Sequence, residues 1–309
     1  MKILILGAGA LGGYFGGWLA ENGADVTFLV RPARKAQLER DGLRIESSVG
    51  ALQRPVVAIT REQITGPSDV VLITAKAYDL ESAIEAIRPA VGPETAVLPI
   101  LNGMRHIDRL VGEFGAERVI GGLAKIQATL KPDGTVLTMG AWNEIIFGEL
   151  DGRMSERVTT LAALFPAPQV RVQAVPDIKF QLWRKLVHLG TVATVTTLTR
   201  EAIGTVTRAA DGPWLIESTL RCVADIAAAE GYAIPEPMIQ DYLKVFGAAG
   251  STYKASMLRD MEKGGLTEGA HIIGYLAERA KAHAITNPIF RIAAANAQAY
   301  EVGRNHGRS

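Results

Sequence analysis

The sequence predicts a protein of the α/β class, in which a doubly wound parallel sheet is followed by a smaller, all-α domain. Up to about residue 150, runs of β-branched residues alternate with amphipathic stretches, which is typical of βαβ units around a parallel sheet. From Ile178 onward, helical periodicity replaces the strand-like runs. The prolines between Pro166 and Pro176 interrupt any continuing helix. We therefore expect one domain at residues 1–172 and a second at residues 173–309.

The strands of the first domain are predicted from short apolar runs separated by turn-forming residues. These runs are Lys2–Leu6, Asp25–Val30, Val70–Thr74, Ala96–Ile100 and Val119–Leu123. Two more segments, Thr135–Met139 and Glu144–Phe147, flank a turn at Gly140. We expect them to form a hairpin added to the same sheet.

The helices of the second domain are predicted from apolar residues that recur every three or four positions. Asp177, or the turn at Pro176 before it, can start a long first helix, with Leu182 and Leu186 on its apolar face. Further helices are expected at Leu215–Glu230, Met238–Phe246, His271–His283 and Ile289–Val302.

The composition excludes several classes of function. The 309 residues include 33 basic and 32 acidic side chains, a net charge of +1, so the chain carries no charge signal for nucleic acid or an anionic membrane surface. The apolar start is cut short by Gly7, which favours a first strand over an export signal, and no apolar run reaches transmembrane length. With the single cysteine, Cys222, no intrachain disulfide can form, which favours a reducing compartment, the cytoplasm.

The histidines do not indicate a metal site. They are His106, His188, His271, His283 and His306. None has the spacing to cysteines or carboxylates that metal ligands usually show, so we expect no bound metal.

A glycine-rich motif opens the first helix directly after the first predicted strand. Gly7-Ala8-Gly9-Ala10-Leu11-Gly12 has the spacing and the context of a dinucleotide-binding fingerprint. Gly7 permits a tight turn, Gly9 lets backbone N–H groups approach a pyrophosphate, and Gly12 lets the helix pack close to the strand. The alternative is a chance glycine cluster. We expect a Rossmann domain that binds a nicotinamide dinucleotide.

The end of the second predicted strand distinguishes NADP(H) from NAD(H). An NAD-dependent enzyme usually places an acidic residue there to bind the ribose 2′-hydroxyl, and this chain has Arg31. A guanidinium can pair bidentately with a 2′-phosphate, and Arg34 and Lys35 nearby add positive potential. A solvated basic loop is the alternative. We expect NADP(H) as the cofactor.

Six motifs follow one another along nearly the whole chain. They are Met1–Gly12, Arg31, Thr74-Ala75-Lys76, Leu101-Asn102-Gly103-Met104, Leu182-Trp183-Arg184-Lys185-Leu186, and Ser256-Met257-Leu258-Arg259-Asp260 with Thr267-Glu268. Together they resemble the 2-dehydropantoate 2-reductase (ketopantoate reductase) family. The resemblance implies reduction of a 2-oxo acid to a 2-hydroxy acid by NADPH, in a cleft between a Rossmann domain and a helical domain. It makes reduction of ketopantoate to pantoate, in pantothenate biosynthesis, the first candidate and reduction of a related 2-oxo acid the second, and it permits a homodimer.

Lys185 matches the catalytic lysine of that family. Helical spacing places it beside Leu182 and Leu186, so its ammonium either extends to solvent or opens into a cleft. In a cleft, the ammonium could stabilise the charge that builds on a keto oxygen during hydride transfer and donate a proton to it.

Glu268 and Ser256 match two further functional residues of the family. The resemblance implies that Glu268 hydrogen-bonds substrate or orients Lys185, and that Ser256 binds the substrate carboxylate. The residues alone leave simpler alternatives open. A carboxylate after Thr267, a plausible N-cap, also suits the first turn of a helix, and Ser256 could itself be a cap.

Lys76 and Asn102 lie just beyond the carboxyl ends of two predicted strands, where doubly wound sheets place ligands. The resemblance makes Lys76 a contact of cofactor and substrate. It places Asn102 near the nicotinamide ribose and the substrate. The pair Asn102-Gly103 could also be an ordinary turn.

The chain departs from the family where the substrate is recognised. Family members typically carry asparagines four and eight residues after the catalytic lysine, and these positions hold Leu189 and Ala193. After Glu268, the expected Ile-Asp and Asn-Gly pairs are replaced by Gly269-Ala270 and Ile273-Gly274. A site built to bond a hydroxyl rejects analogues that lack it, so the loss of polar groups bears on the substrate. We hypothesise a 2-oxo acid with a hydrocarbon side chain, with ketopantoate itself as the other possibility.

Two functions of other kinds compete with this one. A non-catalytic NADP(H)-binding redox sensor would need the glycine motif and Arg31, but neither Lys185 nor Glu268. Oxidation of a sugar or polyol is the weaker alternative, because no Tyr-x-x-x-Lys lies at a suitable place after the fourth predicted strand.

Overall fold

The computed structural model describes residues 1–305, and the chain divides into two compact units. The first unit comprises Met1–Leu101 and His106–Ile178. The second comprises Asn102–Arg105 and Lys179–Ser309, of which residues 306–309, with His306, lie outside the described part. The division lies after Ile178 and not after residue 172, because the segment Arg171–Ala174 forms a strand in a sheet of the first unit.

The first unit contains ten strands in two sheets. They are β1 (Lys2–Leu6), β2 (Asp25–Leu29), β3 (Leu43–Ser47), β4 (Gly50–Arg54), β5 (Val57–Ile59), β6 (Val70–Ile73), β7 (Ala96–Pro99), β8 (Ile120–Leu130), β9 (Val136–Glu149) and β10 (Arg171–Ala174). Its helices are α1 (Ala10–Glu21), α2 (Pro32–Asp41), α3 (Leu80–Ile87), α4 (Arg105–Phe114) and α5 (Glu156–Ala163).

The first sheet is parallel throughout, in the order β5-β2-β1-β6-β7. Successive side chains of a strand point to opposite faces. On β1, Ile3 and Ile5 accordingly join the apolar cluster on one face, while Leu4 joins the cluster on the other. Both faces are therefore covered, as expected for a doubly wound sheet. From β1 the chain builds outward through β2 on one side, and from β6 through β7 on the other, so the strand order reverses between β1 and β6.

The second sheet differs from the sequence-based prediction. It has the order β10-β9-β3-β4, and β8 pairs with β9 in an antiparallel hairpin. The predicted hairpin around Gly140 is wrong, because β9 runs through this position as one strand. Gly140 has a φ of 78°, and the β8–β9 register shifts between Ile126 and Gln127. A glycine in this conformation lets a strand carry an irregularity without turning back. Of the run predicted at Val119–Leu123, the residues from Ile120 onward belong to β8 and so to this second sheet, whereas Val119 forms a parallel bridge with Val97 of β7.

The second unit is built from helices. They are α6 (Ile178–Thr199), α7 (Ile203–Thr207), α8 (Gly212–Ala229), α9 (Glu236–Phe246), α10 (Ser256–Glu262), α11 (Tyr275–Ala282) and α12 (Pro288–Asn305), with a π-helical turn at Ala270–Gly274. The fold class predicted from the sequence is confirmed. Within residues 1–305, none of the helices combines the length and the apolar character that a membrane span requires.

Candidate active site

The glycine-rich turn joins the carboxyl end of β1 to the N-terminus of α1. Gly7 has a φ of 96°, a conformation that favours glycine. A Cβ atom on Gly12 would overlap the carbonyl oxygen of Gly7 and lie 2.6 Å from Oγ1 of Thr74, so only glycine lets α1 begin this close to β1. A Cβ atom on Gly9 would meet nothing within 4 Å. The turn thus packs closely against β1 at Gly12, whereas the space beside Gly9 is open.

A cleft of about 640 Å³ lies at the carboxyl ends of the parallel strands. Its lining includes Gly7, Ala8, Gly9, Val30, Arg31, Thr60, Thr74, Ala75 and Leu130. It opens where the strand order reverses between β1 and β6, the position at which doubly wound sheets bind ligands. The N-cap of α1, Gly9, makes no side-chain capping bond, so the N–H groups of the first helical turn can face an anion. This set of groups fits the pyrophosphate of a dinucleotide.

The three cations grouped by the sequence around Arg31 have different surroundings. Arg31 is exposed on the lining of the cleft. Lys35 forms an ion pair of 2.6 Å with Glu39. Arg34 is half-buried, and its guanidinium donates to the carbonyl oxygens of Ala8 and Gly134. Arg31 and Arg34 both line the cleft, and Arg31 is the more exposed of the two.

The helical unit brings three of the predicted site residues together. The ammonium of Lys185, on α6, donates a hydrogen bond of 3.0 Å to Oδ1 of Asn102. The amide Nδ2 of Asn102 donates in turn to Oε2 of Glu268, at 3.4 Å. Glu268 is only 4% exposed, and Lys185 is half-buried. One amide thus bridges an ammonium and a carboxylate that are remote in the sequence.

The turn that carries Asn102 is held in the same unit by its neighbours. Gly103 has a φ of 91°, and a Cβ atom there would lie 3.1 Å from the carbonyl oxygen of His271. Arg105 forms an ion pair of 2.7 Å with Glu278, and its guanidinium lies 5.8 Å from the ring centroid of Tyr275. The sequence did not indicate Arg105, because an ion pair between distant segments leaves no local pattern.

The segment of Glu268 is fixed at both sides. Before it, the backbone N–H and the hydroxyl of Thr267 both donate to Oε1 of Glu301, at 3.0 and 2.7 Å. After it, the backbone N–H groups of His271 and Ile272 both donate to the carbonyl oxygen of Glu268. They belong to the π-helical turn, a rare geometry that is frequent at functional sites.

Several aromatic side chains surround His188, which lies about one helical turn after Lys185. The imidazole Nε2 lies 3.2 Å from the hydroxyl of Tyr253, and the ring packs against Tyr242 and Phe246 at centroid distances of 5.4 and 5.0 Å. Burial lowers the pKa of His188 to about 4, and the positive charge of Lys185 acts in the same direction. His188 is therefore neutral near neutral pH.

Lys76 and Ser256 are two further predicted site residues. Lys76 is exposed, follows β6 in the first unit and precedes a short 3-10 turn. Ser256 is half-buried and is the first residue of α10, whose N-cap is Ala255. The interpretation of Ser256 as a helix cap is therefore wrong, since its neighbour has that position.

The two positions at which the family asparagines are replaced lie on α6. Leu189 is half-buried and Ala193 is fully buried. Thr191 and Thr197 do not replace the lost amides, because both donate their hydroxyls to carbonyl oxygens of the same helix, each at 2.7 Å. Within residues 1–305, no three His, Cys, Asp or Glu side chains are grouped to hold a metal ion.

Two sequence models of one family match this chain. The model described as Ketopantoate reductase PanE/ApbA matches residues 3–152, and the one described as Ketopantoate reductase PanE/ApbA C terminal matches residues 177–301. A Bacillus subtilis (strain 168) protein named Uncharacterized oxidoreductase YkpB is 35% identical over 301 residues, which are 97% of this chain and 99% of that protein.

Solved structures give the same result. The crystal structure of 2-dehydropantoate 2-reductase from Geobacter metallireducens GS-15 has a TM-score of 0.86 and 32% identity, covering 97% of this chain and 99% of that one. The ternary structure of D-mandelate dehydrogenase with NADH and anilino(oxo)acetate has a TM-score of 0.85 over 99% of this chain and 100% of that one. Its identity of 22% limits that likeness to the fold.

These similarities confirm the resemblance drawn from the six motifs. They support an oxidoreductase, and not the non-catalytic sensor. Because the two family models together span most of the sequence, the chain belongs to the ketopantoate reductase family.

Proposed function

We propose that this protein uses NADPH to reduce the keto group of a 2-oxo acid to a 2-hydroxy acid, and that the acid carries an apolar side chain. The observation that carries the proposal is the amide of Asn102, which bridges Lys185 and Glu268. Such a bridge holds the ammonium that donates the proton in a fixed position, as proton transfer requires.

The reaction consumes a 2-oxo acid, NADPH and one proton, and it yields a 2-hydroxy acid and NADP⁺. The nicotinamide, when bound, supplies the hydride. Lys185 supplies the proton to the keto oxygen, and its positive charge stabilises the negative charge that develops there. Glu268 accepts the hydrogen bond that orients Asn102, so that Oδ1 of Asn102 faces the ammonium. Ser256 binds the substrate carboxylate, in keeping with the family resemblance, and Lys76 contacts cofactor and substrate.

The preference for NADPH is assigned to Arg31. Its side chain is exposed on the lining of the cleft, and it follows the strand end where an acidic residue would select NADH. A guanidinium matches the geometry of a phosphate with two parallel hydrogen bonds.

The apolar substrate side chain is proposed from α6. Leu189 and Ala193 offer no hydrogen bond where relatives have asparagines, and Thr191 and Thr197 are bonded within their own helix. A hydroxylated side chain would lose its hydrogen bonds to water and gain none at these positions. The hydroxyl of ketopantoate therefore gives it no advantage over a plain hydrocarbon acid.

The test is a substrate panel in which loss of NADPH absorbance is followed with ketopantoate, 2-oxoisovalerate, phenylglyoxylate and no acceptor. We expect a higher kcat/KM for 2-oxoisovalerate or phenylglyoxylate than for ketopantoate. A strong preference for ketopantoate would contradict the apolar side chain and leave the reductase reaction intact. Tight NADPH binding without turnover of any acceptor would contradict the reaction itself.

A further inference from the structure

Arg34 connects the glycine-rich turn to a part of the second sheet. Its Nε and Nη2 atoms both donate to the carbonyl oxygen of Ala8, at 3.1 and 2.8 Å. Nη2 also donates to the carbonyl oxygen of Gly134, at 3.2 Å, and Nη1 donates to Oε1 of Gln37, at 2.7 Å. The guanidinium thus binds three segments of the first unit with four hydrogen bonds.

The segment of Gly134 is the tight turn of the β8–β9 hairpin. Lys131 and Thr135 close it with a backbone hydrogen bond of 2.9 Å, and Thr135 N–H donates to the carboxylate of Asp133 at 2.9 Å. Gly134 has a φ of 82°, and a Cβ atom there would lie 2.5 Å from Nη1 of Arg34. Leu130, at the end of β8, lines the dinucleotide cleft. The hairpin turn is therefore rigid and reaches the rim of the cleft.

The contacts require the particular shape of arginine. Its planar fork can hold two carbonyl oxygens and an amide oxygen at once, whereas the single ammonium of a lysine is a point donor. Because most of its donors are engaged with the protein, Arg34 is poorly suited to read a phosphate. What it does hold is the carbonyl of Ala8, in the middle of the turn whose next residues begin α1.

We propose that Arg34 is a positioning residue for the dinucleotide, which fixes the glycine-rich turn against the β8–β9 hairpin and so sets the pyrophosphate-binding N–H groups. This inference rests on the proposed dinucleotide binding. The proposal gives different roles to the two arginines at the start of α2. Arg31 distinguishes NADPH from NADH, whereas Arg34 supports binding of the pyrophosphate, which both cofactors have.

The test measures the Kd of NADPH and of NADH separately, by fluorescence titration of the intact protein, for Arg34→Gln and Arg31→Gln. We expect Arg34→Gln to weaken both cofactors about tenfold or more with their ratio unchanged, since charge-assisted hydrogen bonds that hold the turn are lost. We expect the KM for NADPH to rise with little change in kcat. Arg31→Gln should weaken NADPH alone, so that the ratio falls.

The matched control is Arg44→Gln. Arg44 is also half-buried and donates to the same hairpin turn, at the carbonyl oxygen of Asp133 (2.6 Å), and its partner is not in the glycine-rich turn. Both Kd values should stay unchanged in this variant. Arg34→Lys keeps the charge and loses the fork, and it should remain weakened for both cofactors.

Gly134→Ala tests the same contact from the side of the hairpin turn, in case Arg34→Gln does not fold. Its new methyl group would overlap both Nη1 of Arg34 and the side chain of Gln37, which accepts a hydrogen bond from Arg34, so it should raise both Kd values in parallel. Wild-type affinity for both cofactors in Arg34→Gln, full rescue by Arg34→Lys, or a loss confined to NADPH would each overturn the positioning role. Absence of dinucleotide binding in the unaltered protein would overturn the proposed function, and this inference with it.

Discussion

Lys185 is the side chain on which the proposed chemistry depends most directly. We expect Lys185→Ala to lower kcat by about 100- to 10,000-fold, because a general acid is lost from the reacting oxygen. The Kd of NADPH should stay nearly the same, since the glycine-rich turn and Arg31 are untouched. Stopped-flow turnover and cofactor titration measure the two quantities separately.

The control for this variant is Lys179→Ala, at the other lysine of α6, which should keep its turnover. If Lys185→Ala turned over at the wild-type rate, the ammonium would have no part in the reaction. An equal loss in both variants would indicate damage to the helix instead.

Single residues also show what a sequence can and cannot predict. Lys185, Asn102 and Glu268 were expected through their family motifs, and the structure brings all three together. The contacts of Arg34 were not predicted, because its partners are carbonyl oxygens, and every residue has one. Its charge suggested positive potential for a phosphate, whereas its hydrogen bonds are to backbone.

Among the turns, the one at Gly103 gives the sharpest prediction. Gly103→Ala places a methyl group 3.1 Å from the carbonyl oxygen of His271 at a φ of 91°. We expect this contact to shift the turn that carries Asn102, and kcat to fall about tenfold or more, because displaced catalytic groups are less effective. The free energy of unfolding should fall by roughly 1–2 kcal/mol.

Gly23→Ala is the matched control for this turn. Gly23 has a similar φ of 88°, but a Cβ atom there would meet nothing within 4 Å. It carries the same backbone strain without the contact, so it should lose stability and keep kcat. A wild-type kcat in Gly103→Ala would show that the turn does not position Asn102.

Whole elements were predicted unevenly, for physical reasons. The strand β1 and the start of α6 have clear apolar periodicity and a clear start signal, and their positions follow from the sequence. The strand β9 was divided in two, because glycine normally marks a turn, and only the partner strand β8 reveals that Gly140 is an irregularity within a ladder. Strands β3 and β4 were missed, because β3 has only two buried residues, Leu43 and Ile45, and β4 lies at the edge of the sheet with none, so both carry a weak pattern.

The fold of the molecule as a whole was predictable as a class, and its second sheet was not. Alternation of strands and helices predicts a parallel sheet, but the local sequence of a strand does not indicate which sheet the strand will join. One buried group nevertheless gives the stability of the whole molecule a predictable dependence on pH. That group is His188, whose pKa is lowered to about 4.

We expect acid to destabilise the protein through His188. Its pKa in the folded chain is below the value of about 6.5 in the unfolded chain, so the unfolded state binds the extra proton between these two values. The contribution of His188 to the free energy of unfolding should therefore fall by up to roughly 3 kcal/mol as the pH decreases from about 6.5 to about 4, and this contribution should not change further below. Urea unfolding across this range measures the slope.

The control is the double variant His188→Phe with Tyr253→Phe, which removes the titrating ring and the hydroxyl that it contacts. Replacing both partners leaves no unpaired polar group behind. The acid slope should become shallower in the double variant. An identical slope in both proteins would place the acid sensitivity at other residues.

The grouping of Asn102–Arg105 with the helical unit restricts how this protein can be recombined with relatives. A chimera joined after Ile178 would take Asn102 from one parent and the counterparts of Lys185 and Glu268 from the other. The crossover that the linear order of the chain suggests therefore separates hydrogen-bonded partners. Exchange of substrate preference between relatives requires this tetrapeptide to be transplanted together with the C-terminal half.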